Sequence, residues 1–275
     1  MEKIQQAIER ARQQRDGRIG TPAATAATTG LDRQRPGAID LDAAPRFVVD
    51  AARARATRLV VMQPDAPHGD LFRMLRTQLL QRMRTLGARS IAVFSARDGE
   101  GKTLVACNLA ASLARQSAGP VFLVDFDFRR PTVHDVFGLK VERGVSAVIE
   151  GSASIADVMQ RCEGLPLYVL PQGRKHPAAS ELIAAPEARG LVQTLTSSFP
   201  DSVVVADCSP LLLTDEPLSV QQIVDSCLLV VQQGRTRRDE VQRAAELIDE
   251  AKYVGSVMNQ VRESDLEQSY GYGYR

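Results

Sequence analysis

Between residues 90 and 261 the chain alternates short, unbroken apolar runs with longer segments of helical periodicity. The runs are SIAVFSA (90–96), PVFLVDF (120–126), LYVLPQ (167–172), DSVVVADC (201–208), CLLVVQQ (227–233) and GSVMNQV (255–261). A strand that is apolar at every position has both faces covered, as in a parallel sheet packed between helices. Strands alternating with helices predict an α/β fold: a mostly parallel, doubly wound sheet with helices on both faces. Upstream, DLFRMLRTQLLQRMRTL repeats leucine at 71, 75 and 79, which predicts a helix with one apolar face. RLVVMQ, just before it, reads as a further strand.

The N-terminal part lacks this alternation. Ile4, Ala7, Ile8 and Ala11 fall at i, i+3, i+4 and i+7, a narrow apolar stripe on a polar helix. GRIGTPAATAATTGLDRQRPGAIDLDAAP follows, rich in Ala, Thr, Gly and Pro and without period, and reads as a linker. The expected organisation is an amphipathic helix (1–17), a flexible linker (18–56), a large α/β domain (57–262) and a disordered, tyrosine-rich tail (263–275).

Composition narrows the class. Apolar residues are 44% and charged residues 24%, with no tryptophan, so an aliphatic core is expected. Formal net charge is +1, although the first 58 residues carry eleven Lys/Arg against seven Asp/Glu. That excess reads as a solvated arm, with weak attraction to an anionic surface as the second reading. Cys107, Cys162, Cys208 and Cys227 show no C-x-x-C spacing, so neither a metal framework nor disulfides are expected. No run reaches the ~18–20 apolar residues of a membrane span, and MEKIQQAIERARQQR has no apolar core of a secretory signal. A cytoplasmic protein is expected, with any membrane association coming through a partner.

The chemistry is concentrated after the first core strand. Ala96-Arg97-Asp98-Gly99-Glu100-Gly101-Lys102-Thr103-Leu104 fits the P-loop form, with Ala96 in place of the first glycine. Glycines let backbone N–H groups close around phosphate oxygens, and the following helix adds its positive end. Lys102 reaches the β/γ-phosphates of a nucleotide, and the Thr103 hydroxyl ligates Mg²⁺. The Asp98 and Glu100 side chains are expected to point away, since the anion needs only backbone. Asp125 and Asp127 end one strand and Asp207 another, where ligands of open α/β sheets bind. A strand-end aspartate in a P-loop protein serves Mg²⁺ directly or through water. Arg129 and Arg130 are expected in surface ion pairs, with a phosphate contact as the alternative. Tyr168 reads as core; His68, His134 and His176 read as surface or structural residues.

GEGKT, then LVDFDFRRP, then VVVADCSP, then SYGYGYR at the end resemble the bacterial tyrosine kinases of exopolysaccharide and capsule synthesis, in their separate cytoplasmic form. The resemblance spans residues 57–275. It implies a P-loop fold using ATP and Mg²⁺, with Lys102 and Thr103 on nucleotide and metal. Asp125, Asp127 and Asp207 would serve the metal and the incoming hydroxyl. Asp125 is the first choice for orienting that hydroxyl and Asp127 the alternative. The resemblance further implies autophosphorylation of Tyr270, Tyr272 and Tyr274 on a neighbouring subunit. Asp70, Arg73 and Arg76 match a helix motif that joins subunits into a ring, with Asp in place of the family's Glu. The implied partners are a membrane chain-length regulator (a polysaccharide co-polymerase) as activator, recruiting the kinase to the inner membrane face, and a cognate phosphatase. No nucleic-acid partner is implied. Asp98 stands where many relatives have proline, and Ser209-Pro210 where they have Pro-Pro. A ParA/MinD-like switch ATPase, an iron–sulfur carrier ATPase and a nucleotide-binding scaffold are the competing readings. The missing C-x-x-C argues against the carrier, and a switch ATPase has no use for a tyrosine tail.

Overall fold

A computed structural model describes residues 39–63, 66, 68–262 and 265. The predicted N-terminal helix and the tail tyrosines lie outside these residues. Eight strands form one sheet: β1 (Arg46–Phe47), β2 (Ser90–Ser95), β3 (Val121–Asp125), β4 (Gln160–Cys162), β5 (Leu167–Leu170), β6 (Val203–Asp207), β7 (Ser226–Gln232) and β8 (Tyr253–Asn259). Their spatial order is β1-β4-β5-β3-β6-β2-β7-β8. The six strands from β5 to β8 run parallel, and all six expected runs are among them. The short β4 pairs antiparallel with β5 and carries β1 on its other side.

The helices are α1 (Ala51–Ala56), α2 (Gly69–Leu86), α3 (Lys102–Ala114), α4 (Val133–Phe137), α5 (Val145–Ile149), α6 (Ile155–Val158), α7 (Ala179–Ala184), α8 (Pro186–Ser198), α9 (Glu216–Val220) and α10 (Arg238–Glu246). Successive side chains of a strand point to opposite faces, and the core divides accordingly. Ala92, Phe94, Phe122, Val124, Val204 and Ala206 pack on one face against Leu191, Val192 and Leu195 of α8. Ile91, Val93, Val121, Leu123 and Val205 pack on the other against Val105 and Leu109 of α3 and Leu79 and Met83 of α2. Two covered faces are why these strands are apolar throughout. Gly87, with φ +65°, caps α2 in the left-handed conformation that glycine adopts at least cost.

Two expectations need correction. RLVVMQ is not a strand but a short 3-10 turn, Val60–Met62. Its backbone finds partners on a side chain instead of a neighbouring strand. The buried Asn108 amide of α3 accepts from the Val61 N–H (3.2 Å) and donates to the Arg58 carbonyl (3.0 Å). A run of six cannot be assigned by periodicity alone. The predicted linker over 18–56 also contains structure, namely β1 and α1. Asp50 caps α1 by accepting from the Arg53 N–H, and β1 follows β4, itself only three residues long. Among the described residues no helix is long and apolar enough to cross a membrane.

The sheet brings the chemistry to one edge. β3, β6 and β2 are neighbours, with Asp125 in register with Asp207. The chain leaving β2 is the P-loop, so all three candidate segments emerge side by side. Phe122 anchors the centre: fully buried, its ring lies 5.6 Å from those of both Tyr168 and Phe199. Phe122→Ala is expected to cost about 3–5 kcal/mol, read as a lower urea midpoint at unchanged slope.

Candidate active site

Gly99 (φ +80°) and Gly101 (φ +90°) take left-handed backbone, and a Cβ at Gly101 would run into the Asn259 amide. The loop's charged side chains are all engaged by protein partners. Glu100, 2% exposed, accepts from the Arg97 N–H (3.0 Å) and the Thr236 hydroxyl (2.5 Å). Arg97 pairs with Glu240 (2.5 Å) and Asp98 with Arg130 (2.6 Å). Asn259, at the end of β8, donates to the Glu100 carbonyl (2.9 Å). The loop is thereby strapped to β8 and to the segment leading into α10. No side chain caps the N-terminus of α3. Its first N–H groups are left for an anion, which the helix dipole also favours.

Below the loop lies a buried ionic cluster. Lys102 Nζ is 2.6 Å from Asp127 Oδ2 and 3.8 Å from Asp207 Oδ1. The Thr103 hydroxyl donates to Asp207 Oδ2 (2.6 Å), and Thr132 donates to Thr103 (3.3 Å). Asp127 Oδ1 accepts from the Arg130 N–H (2.9 Å) and the Ser209 hydroxyl (3.4 Å). Asp125 accepts backbone N–H bonds on both oxygens, from Asp127 (3.2 Å) and Val133 (3.3 Å). Asp125 and Asp207 are fully buried and Asp127 is 2% exposed.

Burial sets the protonation pattern. It pushes the Asp125 carboxyl well up, and the charges of Asp207 and Asp127 push it further. Burial also raises Asp207, to about 6, against the pull of Lys102 and the Thr103 hydroxyl. Burial alone would lower Lys102, but Asp207, Asp127 and Asp125 outweigh it and the ammonium is held above its ordinary value.

The donors suit Mg²⁺. Asp207 Oδ1 is buried with no hydrogen-bond partner, while Oδ2 is shared with the Thr103 hydroxyl, so oxygen donors of two strand and helix ends converge. Among the described residues there is no cluster of three or more His, Cys, Asp or Glu able to enclose a metal. Mg²⁺ commonly takes one or two protein oxygens and completes its octahedron from phosphate and water.

The other predicted residues separate into groups. Leu104 follows Thr103 on the first turn of α3 and is half-buried. Asp70 and Arg73 pair with each other on exposed faces of α2. Arg76 is turned inward, donating to the Ser112 carbonyl of α3 (2.8 Å). Tyr270, Tyr272 and Tyr274 lie outside the described residues. Arg129 and Arg130 form ion pairs as expected, Arg129 with the buried Glu216 (2.6 Å). Four participants went unread in the sequence: Thr132, Ser209, Thr236 and Asn259. Asn259 had a signal, being a polar residue at a strand's C-terminal end like Asp125 and Asp207. Thr236 had none, because only the fold brings it to Glu100.

Comparison with known proteins follows this geometry. Residues 91–272 match the family model described as the CobQ/CobB/MinD/ParA nucleotide binding domain. The tyrosine-protein kinase YwqD of Bacillus subtilis (strain 168) is 27% identical over 225 residues, 81% of this chain and 92% of that protein. The succinoglycan biosynthesis transport protein ExoP of Rhizobium meliloti (strain 1021) is 27% identical over 217 residues, 77% of this chain and 27% of that protein. The crystal structure of the chimerical protein CapA2B2 superposes with a TM-score of 0.70 at 28% identity, covering 76% of this chain and 91% of that one. The resemblance to bacterial tyrosine kinases is borne out, as is the P-loop α/β fold.

The cluster predicts a pH dependence of stability. The folded pKa of Asp207 lies above its unfolded value of about 4. Its stabilising contribution is therefore complete below that pH and lost as pH rises through about 6. Asp207→Asn removes this titration. Between pH 4 and pH 6 the melting temperature of the variant is expected to shift steadily in its favour relative to the parent. A constant difference across that range would contradict the assignment.

Proposed function

We propose that this chain, which belongs to the CobQ/CobB/MinD/ParA nucleotide-binding domain family, is an ATP-dependent protein-tyrosine kinase acting on Tyr270, Tyr272 and Tyr274 of a second copy. The observation that carries the reading is the 2.6 Å contact between Asp127 and the P-loop lysine. An ammonium has three N–H donors. One serves Asp127 (2.6 Å) and a second reaches the Thr103 hydroxyl (3.4 Å), leaving the third for a phosphate oxygen of ATP. The Asp127 carboxylate is then one ammonium away from the group being transferred.

The reaction joins the tyrosine oxygen to the γ-phosphorus, breaks the bond from that phosphorus to ADP, and releases the phenol proton. Tyrosine is mostly protonated at neutral pH, its pKa being near ~10. A loose transition state asks mainly for positioning and charge neutralisation. The geometry favours Asp127 over Asp125 as the group that orients the hydroxyl and takes its proton. Both Asp125 oxygens are engaged by backbone N–H donors, so its part is to shape the loop carrying Asp127. Thr103 and Asp207 would hold Mg²⁺, which would supply positive charge against the charge developing on the transferred phosphoryl group. Backbone from Arg97 to Leu104 cradles the phosphates.

The name of the succinoglycan biosynthesis transport protein ExoP supports a setting in exopolysaccharide or capsule synthesis, where the phosphorylation would regulate polymerisation and export. A membrane chain-length regulator is the proposed activator, holding the kinase at the inner membrane face, with a phosphatase to reverse the reaction. The exposed Asp70–Arg73 pair is available to a neighbouring subunit in a ring, whereas Arg76 is already spent on Ser112.

The test is incubation with ATP and Mg²⁺, with and without a candidate activator segment, and mapping of modified residues by mass spectrometry. Phosphate is expected on the tail tyrosines and absent from Lys102→Met. Asp127→Asn is expected to lower kcat by about 10²–10⁴-fold with nucleotide affinity little changed. ATP hydrolysis without any phosphotyrosine would move the chain to the switch-ATPase or scaffold class.

A further inference from the structure

Beside the catalytic loop is a second concave site that the phosphoryl-transfer chemistry leaves unused. It is a cavity of about 280 Å³ lined by Arg143, Ser146, Glu150, Arg174 and His176, with Gly144 in its wall. The His176 N–H donates to the carbonyl of Phe128 (2.9 Å), the residue between Asp127 and Arg129. The cavity wall is therefore continuous with the loop that carries the catalytic carboxylate.

Its floor is built rigidly. Gln172, 1% exposed, accepts from the Ser146 N–H (2.8 Å) and donates to the Ser146 hydroxyl oxygen (3.0 Å) and to the Arg174 carbonyl (3.0 Å). A Cβ on Gly144 would strike the Gln172 carbonyl, so the two backbones meet at the closest approach glycine allows. Because Ser146 Oγ already accepts from Gln172, its own proton is left to donate into the cavity. Among the described residues the Arg174 guanidinium has no partner, and Arg143, whose charge also acts on Asp157, makes one 3.3 Å bond to the Ser152 carbonyl. Glu150, the carboxylate on the lining, is held by His176 (3.1 Å). Two arginine forks and a hydroxyl thus face one small space whose acid is already tied down. Arginine forks match the tetrahedral oxygens of a phosphoryl group.

We propose that this cavity binds the phosphate monoester of a phosphorylated tail tyrosine from a second copy, a proposal that rests on the tyrosine-kinase reading above. A phosphotyrosine carries about −1.5 to −2 charges, matched by Arg143 and Arg174. Once modified, a tail residue passes from the catalytic loop to the adjoining site, where its charge no longer opposes Asp125, Asp127 and Asp207. The next tyrosine, two residues along, is then held near the loop.

The experiment uses the full chain with Tyr270, Tyr272 and Tyr274 changed to Phe, so that its own tail neither competes nor is modified. Fluorescein-labelled SYGYGYR peptide, synthesised with and without phosphate on all three tyrosines, is titrated by anisotropy. The phosphopeptide is expected to bind at least about ten-fold more tightly. Arg143→Ala and Arg174→Ala should each cost about ten-fold, while exposed Lys175→Ala leaves binding within about two-fold. Nucleotide affinity should be unchanged in all three, which shows that the variants are folded. Equal binding of both peptides, an equal loss from Lys175→Ala, or displacement by equimolar inorganic phosphate would overturn the proposal. Because the peptide is made chemically, failure of the parent chain to phosphorylate itself would count against the kinase reading alone.

Discussion

Lys102 faces three buried carboxylates, and the ligand-binding edge is organised around that imbalance. Parallel pairing in register puts Asp125 and Asp207 on adjacent strands at the same level, and Asp127 joins them two residues on. Charges removed from water cost several kcal/mol each unless matched. A hydrophobic core on both faces of the sheet holds these strands where they are and so maintains the unfavourable arrangement. Relief comes in three forms: the ammonium, the hydroxyls of Thr103 and Ser209, and a partly retained proton. A divalent cation would supply positive charge that this edge lacks and a partner for the orphaned Asp207 oxygen.

Much of this was legible in the chain. Apolar runs identified all six parallel strands, five of them because two-faced burial keeps their positions apolar, while β8 at the end of the sheet is buried only in part. The P-loop and the strand-end aspartates were legible because glycine, lysine and carboxylate requirements are local in sequence. The edge of the sheet was not. β1 has two residues and β4 three, and both exist through pairing with each other and with β5. RLVVMQ was misread because an α3 side chain, Asn108, supplies bonds that a neighbouring strand would otherwise provide.

The site shows the same division. Residue types announced which atoms would meet phosphate, but not how the loop that carries them is held. Glu100 read as an awkward acid in an anion-binding loop. In the fold it is the buried post to which Thr236 and the loop's own backbone are fastened. Asp125 and Asp127 were equivalent as letters. Their hydrogen bonds distinguish them, one satisfied by backbone and the other by the P-loop lysine.

The strap between Asn259 and Glu100 also determines where a tether begins. β8 ends at Asn259, against the P-loop itself, and Gln260 turns the chain with φ +54°. Eleven Cα–Cα steps lead from Asn259 to Tyr270, a leash of at most about 40 Å when taut. On the proposed reading the acceptor tyrosine is moored at the wall of its own nucleotide site, and the leash is long enough to span both that site and a close neighbour. Length alone does not choose between them. On that reading, modification at home or abroad depends on which direction the mooring leaves open, and the spacing of subunits in the proposed assembly would be the selector.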